Sequence, residues 1–178
     1  LILLSENFEG YQNLMKLVSI SQTEGFYYKP RLDKEILAKY SKGLICTTAC
    51  PTGRVQKLIH EEGYEAAKKE LLEYEQIFGS KNIFIELQRH HYDRYAKNPL
   101  VPEDIRPKLL DFYENEQKAE KELIKLSRDL GIPLIATNDS HYINQDDAAA
   151  QDALVCVQTG KTIEDTHRMR YVDTPDFY

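Results

Sequence analysis

Apolar residues along this chain alternate between short unbroken runs and stripes spaced three and four apart. The runs are Leu1-Ile2-Leu3-Leu4, Leu44-Ile45-Cys46, Ile83-Phe84-Ile85 and Leu134-Ile135-Ala136. Their length and β-branched content predict buried strands, the first being the tail of a strand that begins upstream. Helical spacing predicts a helix from Asn7, its N-cap, to about Glu24, with Tyr11, Leu14, Leu17 and Val18 on one face. Asp33 caps a short helix that turns Ile36, Leu37 and Tyr40 inward. Another helix runs from Tyr64 to Phe78 with Ala67, Leu71 and Tyr74 in its stripe. A long one, about Lys108 to Leu130, carries Ala119, Leu123, Leu126 and Leu130. Gly25, Gly79 and Gly131 stand where three of these should stop. Asp146 or Asp147 opens a last helix through Val157 that Gly160 ends, and Lys161 to Tyr178 reads as an extended tail. Two stretches lack either period. Phe26 to Arg31 is an exposed aromatic and basic loop, and Tyr92 to Pro107, with Pro99, Pro102 and Pro107, is a surface loop.

Strands alternating with helices predict an α/β fold: a parallel sheet with helical crossovers, open or closed into a barrel. In such folds ligand-binding groups collect where strands end. Four candidates fall there: Cys50 after the second run, His90 or His91 after the third, and Asp139 with His141 after the fourth. Extended geometry would point Asp139 and His141 the same way, because side chains two apart share a face. A thiolate, an imidazole and a carboxylate together suit zinc or a similar divalent metal, able to hold a phosphoryl oxygen. Each residue also has a plainer reading. Cys46 is a small core residue and Cys50 a buried thiol; Asp139 caps a turn; His141 is a half-buried polar group. Glu86 faces solvent or a salt bridge, His90 and His91 mark a polar loop, and His60 and His167 lie on the surface.

Composition narrows the field. The chain has 178 residues, 42% hydrophobic and 29% charged, and no run of about 20 apolar residues that would span a membrane. Three cysteines without a CxxC pair fit a reducing, cytoplasmic setting. The net charge of -6 argues against a domain whose main task is wrapping duplex nucleic acid, which depends on neutralising phosphates. Glycine-rich phosphate loops, G-x-S-x-G and HExxH are absent from the sequence.

The wording of five stretches, in order, carries further: Gly25-Phe26-Tyr27-Tyr28-Lys29-Pro30-Arg31-Leu32-Asp33, Thr48-Ala49-Cys50, Glu86-Leu87-Gln88-Arg89-His90, Ala136-Thr137-Asn138-Asp139-Ser140-His141-Tyr142 and Val157-Gln158-Thr159-Gly160-Lys161-Thr162. Together they resemble the PHP (polymerase and histidinol phosphatase) domain of bacterial DNA polymerase III alpha subunits. The resemblance implies a single partial PHP domain over residues 1–178, part of a distorted seven-stranded β/α barrel truncated at both ends. It places Cys50, Asp139 and His141 among the metal ligands, with His90, Glu86 and Arg89 as substrate or supporting residues. An opening His-x-His and a His directly before Leu1 would belong to an amino-terminal part outside this sequence. The implied activity is a metal-dependent phosphoesterase, a 3′–5′ proofreading exonuclease, using zinc or manganese, with magnesium serving the polymerase domain of the parent protein. The alternative is a scaffold that stabilises the polymerase and docks a separate proofreading subunit. The implied partners are DNA and the other holoenzyme subunits, with no membrane. This piece alone is expected to be weakly active at most, and to expose apolar surface that favours self-association.

Overall fold

Each predicted apolar run becomes one strand of a four-stranded sheet: β1 (Ile2–Ser5), β2 (Leu44–Thr47), β3 (Ile83–Leu87) and β4 (Leu134–Ala136), in that spatial order. The computed structural model describes residues 1–165 and 167–178, so Thr166, within the predicted tail, lies outside the described residues. These residues form two compact units, Leu1–Glu86 with Glu122–Ile135, and Leu87–Lys121 with Ala136–Tyr178.

In the first unit β2 and β3 run parallel, with Cys46 opposite Ile83 and Thr47 opposite Phe84. β1 departs from the expected parallel pattern and pairs antiparallel with β2, Leu3 opposite Cys46. Two helices separate these strands, α1 (Phe8–Thr23) and α2 (Lys34–Lys39). β4 was expected to be buried, yet Leu134 is exposed, because β4 closes the sheet order and has a neighbour on one side. The apolar residue that goes inside there is Ile132, just before the strand. Among the described residues the sheet is mainly parallel and stays open.

The core of this unit joins Leu44, Cys46, Ile83 and Ile85 of the sheet to two helices. α4 (Tyr64–Phe78) contributes Ala67, Leu71, Tyr74 and Phe78, and the end of α6 (Arg106–Leu130) contributes Leu123 and Leu126. Burial pushes the Cys46 thiol up to about 12, leaving it neutral and unreactive. One helix was not anticipated. α3 (Arg54–Glu61) buries Val55, Leu58 and Ile59 at the spacing of a helical face, within a stretch too short and polar to stand out.

Asn7 caps α1 as expected, its Oδ1 accepting from Gly10 N at 3.0 Å. The buried face of α1 differs from the one the apolar spacing suggests: Gly10, Asn13, Leu17 and Ser21 go inside, while Tyr11 and Val18 are exposed. Gly10 sets that rotation. Its backbone lies so close to Gly43 that an added Cβ would stand 1.8 Å from the Gly43 oxygen. Since the obstacle is backbone, no side-chain rearrangement relieves it. We expect Gly10→Ala to cost roughly 3 kcal/mol, the upper end of overpacking effects, read as a lower urea midpoint at unchanged slope.

The second unit corrects two other expectations. Residues 92–107 are not a bare surface loop: α5 (Tyr92–Ala96) starts a small core in which Ala96, Val101, Ile105 and Leu109 pack with Tyr92 and Tyr95. The prolines stop regular structure there without preventing burial. The carboxyl-terminal tail is not extended either. It follows α7 (Ala148–Thr159), which a short 3₁₀ turn (Gln145–Asp147) precedes and a left-handed Gly160 ends, and it buries Tyr171, Asp173 and Thr174. Among the described residues no helix is long and apolar enough to cross a membrane.

Candidate metal centre

β3 delivers the chain to His90, and the surrounding polar groups fix that side chain tightly. The His90 backbone N–H donates to both Glu116 carboxylate oxygens, each at 3.1 Å, and its Nδ1 lies 2.9 Å from Glu116 Oε2. Both residues are buried. The ring stacks on Phe177 with centroids 4.4 Å apart and an interplanar angle of 24°. With the ring proton on Nδ1, donated to the Glu116 carboxylate, Nε2 is left as a bare nitrogen, and that atom is buried with no hydrogen-bond partner among the described residues. A buried polar atom without a partner costs free energy, so Nε2 is the atom here whose chemistry calls for a ligand.

The chain beyond β4 supplies the second half. Asp139 takes a left-handed backbone, φ +49°, so the alternation of an extended strand does not operate there. The expected neighbourhood arises all the same by a turn: Asp139 Oδ1 and His141 Nε2 stand 3.7 Å apart. That is beyond a hydrogen bond, and near the about 3.4 Å that separates two donors sharing one tetrahedral ion at bonds of about 2.1 Å. Both side chains retain partial exposure. The tail holds this turn from outside. Asn138 Nδ2 donates to the backbone oxygens of Asp176 and Tyr178, at 2.8 and 2.6 Å, and His141 N donates to Phe177 O at 2.7 Å. Phe177 meets the His141 ring edge-on at 5.9 Å, so one phenyl ring touches both histidines.

Asp176 ties the tail to the other side of the unit. It accepts from Tyr95 OH at 2.7 Å and from the His91 backbone N–H at 3.2 Å, with His91 Nδ1 at 3.0 Å. Burial would raise its pKa, but those bonds outweigh burial and hold the carboxylate below its usual range. Burial, then the bond to Asp176, pushes Tyr95 up to about 12. His91 is therefore the anchor of the tail, and His90 the histidine with a nitrogen to offer.

The remaining candidates sit as follows. Cys50 belongs to the first unit, half-buried after the left-handed Ala49, with Sγ 3.2 Å from Thr52 Oγ1. Glu86, also in the first unit, does not face solvent: it is buried, with Oε2 accepting from Thr47 Oγ1 at 2.5 Å and its N–H donating to Thr48 Oγ1 at 2.9 Å. Arg89 is exposed and forked onto Glu120, Nε to Oε2 at 2.9 Å with a second bond from Nη2 to Oε1. His60 is half-buried and His167 exposed. Within the second unit, among the described residues, no three His, Cys, Asp or Glu side chains gather into a metal-holding group. The donors fit a divalent ion in part: a carboxylate–imidazole pair at bridging separation, and an oriented imidazole with a bare nitrogen.

Glu116 and Asp176 are the residues that sequence reasoning missed. Glu116 is one of several acidic residues along α6, and nothing in its spacing separates it from Glu114 or Glu122.

The family model of the PHP domain matches residues 1–90. Over all 178 residues the chain is 45% identical to the DNA polymerase III subunit alpha of Borreliella burgdorferi and 39% identical to that of Treponema pallidum. Over 169 residues, 95% of the chain, it is 36% identical to that of Saccharopolyspora erythraea. It spans 14%, 13% and 12% of the length of these three relatives. The open, mainly parallel sheet, the strand-end placement of the Asp139–His141 pair and the match over the first half of the sequence agree: the chain belongs to the PHP domain family.

Proposed function

We propose that this chain is the PHP part of a cytoplasmic DNA polymerase III alpha subunit, and that it is a metal-dependent phosphoesterase acting on DNA 3′ ends as a proofreading exonuclease. The observation that carries the reading is the Asp139–His141 pair at 3.7 Å, in the same unit as His90, whose Nε2 has no hydrogen-bond partner among the described residues. Asp139 and His141 would bind the ion through oxygen and nitrogen, a set suited to zinc or manganese. Glu116 orients His90 as carboxylates commonly orient ligating imidazoles. Cys50 stays a candidate donor on the strength of the family pattern alone. A divalent ion held there would supply stabilisation of charge developing on a phosphoryl oxygen. Polymerisation, magnesium use and contacts with other holoenzyme subunits would belong to parts of the parent protein beyond these residues.

A second reading has its own support. Phe177 stacks on His90, and its carbonyl takes the His141 N–H, so the tail already occupies the surroundings of both histidines. That packing suits a scaffold that stabilises the polymerase and docks a separate proofreading subunit. Zinc and manganese content after dialysis, together with release of the 3′ nucleotide from a mispaired primer, separates the two for the full-length parent protein and its Asp139→Asn and His141→Asn variants. The enzymatic reading expects each substitution to lower metal affinity at least 10-fold and to abolish nucleotide release. A lowered melting temperature with metal content unchanged would favour the scaffold.

A further inference from the structure

We propose that the loop between α1 and α2, Phe26 to Arg31, is a contact for single-stranded nucleic acid. This goes beyond the metal-centre reading and does not depend on it. Three consecutive aromatic residues lie in water here: Phe26 is 56% exposed, Tyr27 64% and Tyr28 82%. Rings of this size carry a large apolar surface, and a contiguous exposed patch of them marks an interaction site rather than ordinary surface.

The loop is also held in shape. At its base Gly25 and Arg31 abut so closely that a Cβ on Gly25 would stand 2.0 Å from the Arg31 oxygen. Tyr27 N–H donates to Lys29 O at 3.1 Å, folding the tip back on itself. Tyr28 sits at that tip with φ +58°, a left-handed backbone that a bulky side chain rarely adopts. Strain of this kind persists where the surroundings impose it, and it clusters at functional positions. The Tyr27 and Tyr28 rings meet edge to face at 4.7 Å, and the Arg31 guanidinium lies 5.5 Å from the Tyr27 ring centroid.

Charge selects the occupant. Lys29 and Arg31 are the loop's charged residues, both cationic and both exposed, on a chain of net charge -6. A polyanion that also presents flat apolar faces matches both features: unstacked bases lie on the rings while the cations take phosphates. A duplex hides its base faces, and two cations are few for a groove that is held by phosphate contacts.

The test is fluorescence anisotropy of the chain with a dye-labelled oligodeoxythymidylate, across a salt series. The chain should bind it and prefer it to a duplex of equal length. Tyr28→Gly removes the ring together with the strain, so the melting temperature should hold or rise while affinity falls about 10-fold. Lys29→Ala with Arg31→Ala should weaken binding and reduce the slope of log affinity against log salt by roughly 1.4, from two lost phosphate contacts. Equal affinity for the duplex, unchanged affinity in Tyr28→Gly, no binding at low salt, or preference for anionic phosphatidylserine vesicles would each overturn the proposal.

Discussion

Asp152→Ala is expected to lower the unfolding free energy by roughly 3–5 kcal/mol, a large share of the 5–15 kcal/mol that holds a typical domain together. Asp152 on α7 and Arg168 in the tail form a two-pronged ion pair, Nη1 to Oδ1 at 3.0 Å and Nη2 to Oδ2 at 2.5 Å, with side chains 2% and 1% exposed. The carboxylate also accepts the Tyr171 N–H at 2.8 Å, and Arg168 donates to the backbone oxygens of Ile163 and Met169. Removing the carboxylate strands a buried guanidinium and a buried backbone donor, and that desolvation sets the size of the effect. The pair in itself need contribute little net stability. Arg168→Met added to Asp152→Ala should therefore recover a substantial part of the loss, and a cycle of urea denaturation curves measures how much. A single-variant loss below about 1 kcal/mol would mean the pair is not buried as described.

The same pair gives a pH dependence of definite sign. Burial alone would raise the Asp152 pKa, but the bonds from Arg168 and from Tyr171 N–H outweigh it, and the carboxyl titrates below its ordinary value. A carboxylate depressed in the folded state stabilises the protein above about pH 4, its unfolded value, and the contribution is lost as pH falls through the folded value. Asp152→Ala should flatten that part of the acid limb of the stability curve.

Period and punctuation carried much of the fold. Tyr64–Phe78 is bounded by residues that the stripe and Gly79 mark, and the four apolar runs are the four strands. What remained illegible depended on partners distant in sequence. The buried face of α1 is set by the approach of Gly10 to Gly43, invisible in a hydropathy pattern that promotes Tyr11 and Val18. The antiparallel direction of β1 against β2 is likewise not encoded in the apolar runs. Pro99, Pro102 and Pro107 disguised a small core, and the polar residues around Arg168 disguised a packed tail. In the candidate site the Asp139–His141 pair was legible from the sequence by an argument that assumed a strand, whereas the structure achieves it with a left-handed turn. His90 was legible as a histidine at a strand end. Its particular state was not, because that state is created by Glu116, 26 residues further on.

Substitutions at Glu116 should accordingly divide the structural from the chemical role of His90. Glu116→Leu leaves the His90 backbone N–H and ring N–H buried without acceptors; at roughly 1–3 kcal/mol for each such group, the loss should be roughly 2–6 kcal/mol. Glu116→Gln keeps the volume and an oxygen able to accept, so folding should change by about 1 kcal/mol or less while the carboxylate charge behind the imidazole disappears. If His90 Nε2 is a ligand atom, zinc affinity in a chelator competition should fall roughly 10- to 100-fold in the Gln variant although its melting temperature barely moves. A scaffold would behave differently: only the Leu variant would register, and only as lost stability. The Gln variant thus probes Nε2 through an atom on the far side of the ring, without touching Asp139, His141 or the packing of Phe177. Unchanged zinc affinity in that variant would remove His90 from the donor set and leave its bare nitrogen as an uncompensated cost of folding.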